Sequence, residues 1–132
     1  MSDPGTGTIR LGLVVLDCPD PAELARFYAR LLGAEVEPGG GQTWQTLTGD
    51  GVRLAFQRAS DYQPPRWPDG PPQQLHLDID VSDPVAAHDR ALLLGAVPLS
   101  PTTPPSPEQV DDFRVYADPA GHPFCLVPLL AP

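Results

Sequence analysis

Arg10-Leu-Gly-Leu-Val-Val-Leu-Asp17 and His76-Leu-Asp-Ile-Asp-Val-Ser-Asp83 are two octets that each read as a strand running into an aspartate. Ile9, Leu11, Leu13 and Val15 share one face at period two; Leu75, Leu77, Ile79 and Val81 do the same, with His76, Asp78 and Asp80 opposite. The residues after each octet also repeat. Asp20-Pro21 and Asp83-Pro84 are capped helix starts, an aspartate to accept from first-turn amides and a proline at the first helical position. The first helix is predicted to run to about Leu32, with Leu24, Phe27, Tyr28 and Leu31 on its apolar stripe, and the second to Leu94. Leu31-Leu-Gly-Ala34 and Leu93-Leu-Gly-Ala96 close them, each glycine serving as the stop.

Short strands are predicted at 34–37, 42–47 and 52–57 after the first helix, and at 96–99, 112–117 and 123–128 after the second. Glycine turns separate the first set at 39–41 and 49–51. A βαβββ unit used twice explains the whole pattern. Each copy is too small to close a core alone, so the expected architecture is one α+β domain. Its expected parts are a flexible N-terminus at 1–8, module one at 9–58, a proline-rich linker at 59–74 and module two at 75–130.

Composition narrows the function classes. The chain has 132 residues, eight of them arginine with no lysine, against seventeen acidic residues, for a formal charge of -9. Such a surface repels nucleic-acid phosphates and anionic lipid, so neither partner is expected. No apolar run approaches the roughly 18 residues that a membrane span needs, and Met1 to Thr8 carries no signal-type apolar stretch. Cys18 and Cys125 have neither metal-type nor redox-type spacing and read as two unpaired thiols. A cytoplasmic location is expected by elimination. No phosphate loop, dinucleotide fingerprint or serine elbow is present, so nucleotide and serine-hydrolase chemistry lack support.

Of the nineteen prolines, five fall in 58–74 with Tyr62 and Trp67, and four in 100–111. The first segment reads as a lid or an interface arm, because two aromatics are costly to leave in water; the second reads as a spacer.

Leu13-Val-Val-Leu-Asp17, Ala25-Arg-Phe-Tyr28, Leu31-Leu-Gly33, Leu75-His-Leu-Asp78, Leu94-Gly-Ala96 and Asp118-Pro-Ala-Gly121 together resemble the vicinal oxygen chelate superfamily. That superfamily includes glyoxalases, extradiol dioxygenases and bleomycin-binding proteins, and the chain looks most like its glyoxalase-like subgroup. The resemblance implies a cupped mixed sheet with helices on its outer face, a homodimer, and in catalytic members a divalent metal shared by both modules. It assigns the metal positions to Arg10, Ala55, His76 and Cys125. Arg10 and Ala55 cannot ligate, and a guanidinium repels a cation. His76 is therefore the one convincing ligand, with Cys125 and Asp78 as the only nearby donors, and no cofactor is expected; a divalent metal is the lesser alternative.

The favoured expectation is a protein that binds a small organic molecule in the sheet cavity. Arg10, Trp44, Gln57, Trp67, His76, Asp78, Arg114, Tyr116 and Cys125 are the candidate ligand-binding residues. Arg10 can clamp an anionic group in bidentate fashion or pair with Asp78 or Asp80. His76 can be a general base or a hydrogen-bonded wall residue. Gln57, Arg114 and Tyr116 share the inferred cavity parity, and Trp44 and Trp67, with Phe113 and Tyr62, supply aromatic surface. The alternative is a metal-dependent lyase, isomerase or dioxygenase that uses His76.

Overall fold

The computed structural model describes residues 2–3, 7–8, 10–49, 51–70, 75–108 and 112–129. Expectations for Ile9, Asp50, the linker end at 71–74, the spacer end at 109–111 and the C-terminal boundary at 130 lie outside the described residues. Ahead of the repeat, β1 (Ser2–Asp3) pairs antiparallel with β2 (Gly7–Thr8).

Module one consists of β3 (Val14–Cys18), α1 (Pro21–Leu32), β4 (Glu35–Val36), β5 (Trp44–Gly49) and β6 (Val52–Arg58). Its sheet runs β3-β6-β5-β4, with β3 and β6 parallel and the rest antiparallel. Module two repeats it with β7 (Leu77–Val81), α2 (Pro84–Leu94), β8 (Val97–Ser100), β9 (Arg114–Ala117) and β10 (Pro123–Pro128). Its order is β7-β10-β9-β8, again with the first and last strands parallel. Two mixed four-stranded sheets with one helix each are the duplicated βαβββ unit.

The helix signals work as their chemistry requires. Asp20 accepts from the Glu23 amide at 3.3 Å and Asp83 from the Ala86 amide at 3.1 Å. Gly33 sits at φ 68°, where the amide of the next residue, Ala34, can reach back to the Ala29 carbonyl and end α1. The apolar stripe of α1 is buried at Leu24, Phe27 and Tyr28. Only His88 and Ala91 of α2 are buried, and Leu93 is 80% exposed.

Both modules feed one core. Tyr28 stacks on Phe56 of its own module at 5.7 Å, and both Phe27 and Tyr28 meet Phe124 of module two. The Tyr28 hydroxyl donates to the buried Asp118 carboxylate at 2.7 Å. Arg90 of α2 donates to the Arg30 carbonyl at 3.1 Å, placing a cation at the negative end of α1. No helix among the described residues is long and apolar enough to cross a membrane.

Several strands start later than the sequence expectation, β5 at Trp44 and β9 at Arg114 among them, and two further shifts bear on the site. β3 begins at Val14 and β7 at Leu77, while Arg10 to Leu13 lack regular structure. Each helix cap, Asp20 or Asp83, stands six residues after the first residue of its strand. The modules therefore correspond through these caps, and the octet match of Asp17 with Asp83 is out of register by three residues. His76 has its counterpart in Leu13, and Asp78 in Val15.

Candidate functional site

Strand register decides which side chains share a face, since residues opposite one another in a ladder point the same way. In module two, Phe124 pairs with Leu77 on one side and Tyr116 on the other; this is the face that packs on the helices. Cys125 pairs with Asp78 and with Val115, and these face away from the helices. With His76, Phe113, Val127 and Trp67 they line a pocket of about 380 Å³. Trp67, Phe113, Val115 and Val127 make apolar walls, and His76, Asp78 and Cys125 make one polar end.

Local structure brings Trp67 to this pocket from the linker. The Tyr62 hydroxyl donates to the Ala120 carbonyl at 2.8 Å and lies 3.2 Å from His122 Nε2. Asp118 holds the receiving turn: its carboxylate accepts from the Ala120 and His122 amides, and Oδ2 lies 2.9 Å from His122 Nδ1. Gly121, at φ 93°, lets Pro64 approach so closely that a Cβ there would meet the Pro64 Cβ at 2.8 Å. The linker is thus docked on module two and leads Trp67 over the sheet.

At the polar end, His76 Nε2 lies 3.1 Å from Asp78 Oδ1. One ligating atom each from His76, Asp78 and Cys125 fall within 4.8 Å of one another. Burial pushes the Cys125 thiol up to about 11, and the charge of Asp78 and the hydrogen bond between them push the same way. The thiol is neutral at physiological pH unless something displaces its proton.

The remaining candidates do not join this pocket. Arg10 is exposed, four residues ahead of β3. Trp44 and Gln57 pair on the sheet of module one, where the Trp44 indole donates to Thr46 Oγ1 at 2.8 Å. Arg114 donates to the Thr103 carbonyl and borders a neighbouring groove with Trp67 and Phe113. Tyr116 is corrected outright: it is 1% exposed, stacks on Phe124 and meets His88 Nδ1 at 2.7 Å. Alternation along a strand does not carry the length of the turn between β9 and β10; the register puts Val115, not Arg114 or Tyr116, beside Cys125. Val115 escapes sequence reasoning for the same reason, since only the β9–β10 register signals it; Val127 is signalled by alternation along β10 itself, two residues after Cys125, and the sequence reading misses it.

The metal arrangement implied by the resemblance, shared between modules, does not fit these residues. The module-one counterparts of His76, Asp78 and Cys125 are Leu13, Val15 and Ala55, by cap spacing and by the Val15–Ala55 and Asp78–Cys125 pairings. None carries a donor atom. Among the described residues, every member of the donor cluster comes from module two.

A family model described as a glyoxalase-like domain matches residues 13–127. No curated protein sequence matches the chain. Among solved structures, a glyoxalase/bleomycin resistance protein/dioxygenase family enzyme from Burkholderia phytofirmans superimposes with TM-score 0.70 at 17% identity, covering 92% of this chain and 100% of that one. A glyoxalase-related enzyme from Fulvimarina pelagi gives 0.63 at 18% identity over 91% and 88%. The fosfomycin resistance protein FosX from Listeria monocytogenes, in complex with Mn(II) and dihydroxypropylphosphonic acid, gives 0.65 at 17% over 89% and 88%. The matched family, the shared fold and the duplicated βαβββ topology agree: the chain belongs to the glyoxalase-like domain family of the vicinal oxygen chelate superfamily.

Proposed function

We propose that the protein binds a small, partly apolar organic molecule in the pocket of module two. The observation that carries this reading is the convergence of four apolar side chains and a three-residue polar end on one cavity. Its volume of about 380 Å³ suits a small ligand. Trp67 and Phe113 hold flat apolar groups, and His76 and Asp78 take a hydrogen-bonding or cationic group. Asp78 and the net charge of -9 both favour cations.

A panel of flat apolar cations and neutral aromatics, scored by thermal shift and by quenching of tryptophan fluorescence, tests this. Val115→Trp fills the pocket, so it should abolish the shift while far-UV circular dichroism stays unchanged. Binding that survives Val115→Trp overturns the reading.

The second reading, catalysis through His76, draws on the 3.1 Å contact that holds Nε2 against Asp78. In that case His76→Ala abolishes turnover; as a wall residue it only weakens ligand affinity. Pairing of two copies is proposed with either reading. The module-one sheet face opposite α1 exposes Val15 (39%) and Trp44 (37%), apolar surface that a second copy can cover. Light scattering should give twice the chain mass, and Trp44→Glu should halve it; a monomeric parent protein overturns pairing.

A further inference from the structure

The two modules meet along strands that do not pair with each other. β3 and β7 are edge strands of separate sheets, and both carry core-face residues. Val14 and Leu16 are ladder partners of the buried Leu54 and Phe56, and Leu77 is the partner of the buried Phe124. All three nevertheless remain only half-buried, so the core stops short of this seam. A cavity of about 180 Å³ lies there on the helix side, walled by these three side chains with Leu75 and Pro123. Leu75 is exposed and marks its mouth. The polar side chains of the walls are already engaged. The Tyr28 hydroxyl donates to Asp118 at 2.7 Å, and His76 Nε2 lies 3.1 Å from Asp78 Oδ1. His122 is held between Asp118, 2.9 Å from its Nδ1, and the Tyr62 hydroxyl, 3.2 Å from its Nε2. Among the described residues His76 Nδ1 is the one side-chain nitrogen of the walls without a partner, whereas a buried water needs about two to four.

We infer that this seam cavity is a second binding site, for a compact, neutral, branched or cyclic aliphatic molecule. Size sets the first limit. A dry cavity of roughly 150 Å³ takes a guest as large as benzene, so this one has room for about five or six carbon atoms. Charge sets the second: among the described residues no carboxylate and no arginine lines the cavity, so an ion entering it would lose its hydration without compensation. Shape sets the third. Val14, Leu16, Leu75, Leu77 and Pro123 are aliphatic, and the ring of Tyr28 is already stacked on Phe56 at 5.7 Å. Binding is driven by taking the guest and the half-buried faces of Val14, Leu16 and Leu77 out of water. The site is separate from the pocket beside Cys125, which opens on the opposite face of the β7–β10 ladder. His76 lines both, so the two stand back to back with that ring between them.

Methyl groups report the two sites separately, so one titration tests the inference without leaning on the proposed function. The full chain, labelled at its valine and leucine methyls, is titrated with cyclopentane and followed by NMR. The expected result is a saturable shift of the Val14, Leu16 and Leu77 methyls, with those of Val115 and Val127 unmoved. Tetramethylammonium, of similar bulk but charged, should leave the seam methyls where they are. Leu16→Phe carries a ring into the cavity and should remove the cyclopentane response at Val14 and Leu77. Val115→Trp, on the opposite face, should leave the seam response intact. Unmoved seam methyls in the unmutated protein, a response confined to Val115 and Val127, an equal response to tetramethylammonium, or a response that survives Leu16→Phe overturns the inference. The unmutated spectra decide even where a variant fails to fold. A seam response in a protein whose Val115 and Val127 methyls answer to no probe of the aromatic and cationic panel sinks the pocket reading and leaves this one standing.

Discussion

Two thiols in this chain have opposite circumstances. Cys125 opens onto the pocket, whereas Cys18 is fully buried at the end of β3 and gives a weak hydrogen bond to the Gln57 carbonyl. Burial pushes the Cys18 thiol from 9.0 up to about 11; a hydrogen bond from the Asp20 backbone opposes this, and the charges of Asp20, Asp118 and Asp17 add to it. The folded state therefore holds Cys18 neutral where the unfolded chain would ionise it. That contribution to stability is complete below about pH 9 and is lost as pH rises towards about 11. Urea midpoints measured across this range should fall with rising pH, and Cys18→Ala should reduce the slope even though its cavity lowers the whole curve. An unchanged slope would mean the thiol has the same affinity for its proton in both states. Asp118 shows what single residues conceal in a sequence. The Asp118-Pro-Ala-Gly121 turn and the Phe27-Tyr28 pair are both legible as family features. Their meeting, a 2.7 Å hydrogen bond between groups 90 residues apart in sequence, is not, because nothing local encodes it.

At the scale of elements, legibility follows the range of the interactions. Both helices can be bounded from sequence because caps and stops act within a single turn: Asp20, Pro21 and Gly33 do their work among neighbours. Strand identity is nearly as readable, and β10 occupies 123–128 as expected. Facing is less so. Period-two alternation assigns faces within one strand, but transferring parity to the next strand requires the register across the turn, and one residue of error exchanges core for cavity. Tyr116 and Val115 exchange roles in this way. Arg10 fails differently, through two aspartates that match by letter while only one of each module's aspartates caps a helix. The linker offers an element-scale test. Gly121→Ala brings a Cβ to 2.8 Å from Pro64 and strains a backbone at φ 93°. It should undock the linker and cost about 1–3 kcal/mol. Trypsin should then cleave faster after Arg66 than in the parent protein, and an unchanged digestion rate would show that the contact relaxes without undocking.

Across the whole molecule, the two modules are separate sheets that share one core. Tyr28 touches Phe56 on one side and Phe124 on the other, and its hydroxyl is spent on Asp118 in the second module. Unfolding should accordingly be one transition, with tryptophan fluorescence and far-UV circular dichroism coincident in urea. The same contacts require the halves to depend on each other: residues 1–58 and 75–132 expressed apart should each lack cooperative unfolding. Two resolved transitions in the full chain would separate the modules energetically. The duplication makes the architecture readable at this scale, since a repeated βαβββ unit leaves few arrangements. Functional asymmetry between the copies is not readable, because it depends on which residues truly correspond.

Trp67 belongs to neither copy of the repeat. The pocket wall it supplies is carried by the segment that joins the halves, held down by Tyr62 and Pro64. A half-length ancestor that paired with itself would have possessed both sheets and the aromatic core, yet no such wall. The pocket in its present form thus depends on the segment that joins the halves and on neither half alone. Replacing 59–70 with a flexible glycine–serine segment would keep the two sheets and the aromatic core while leaving the cavity without that wall.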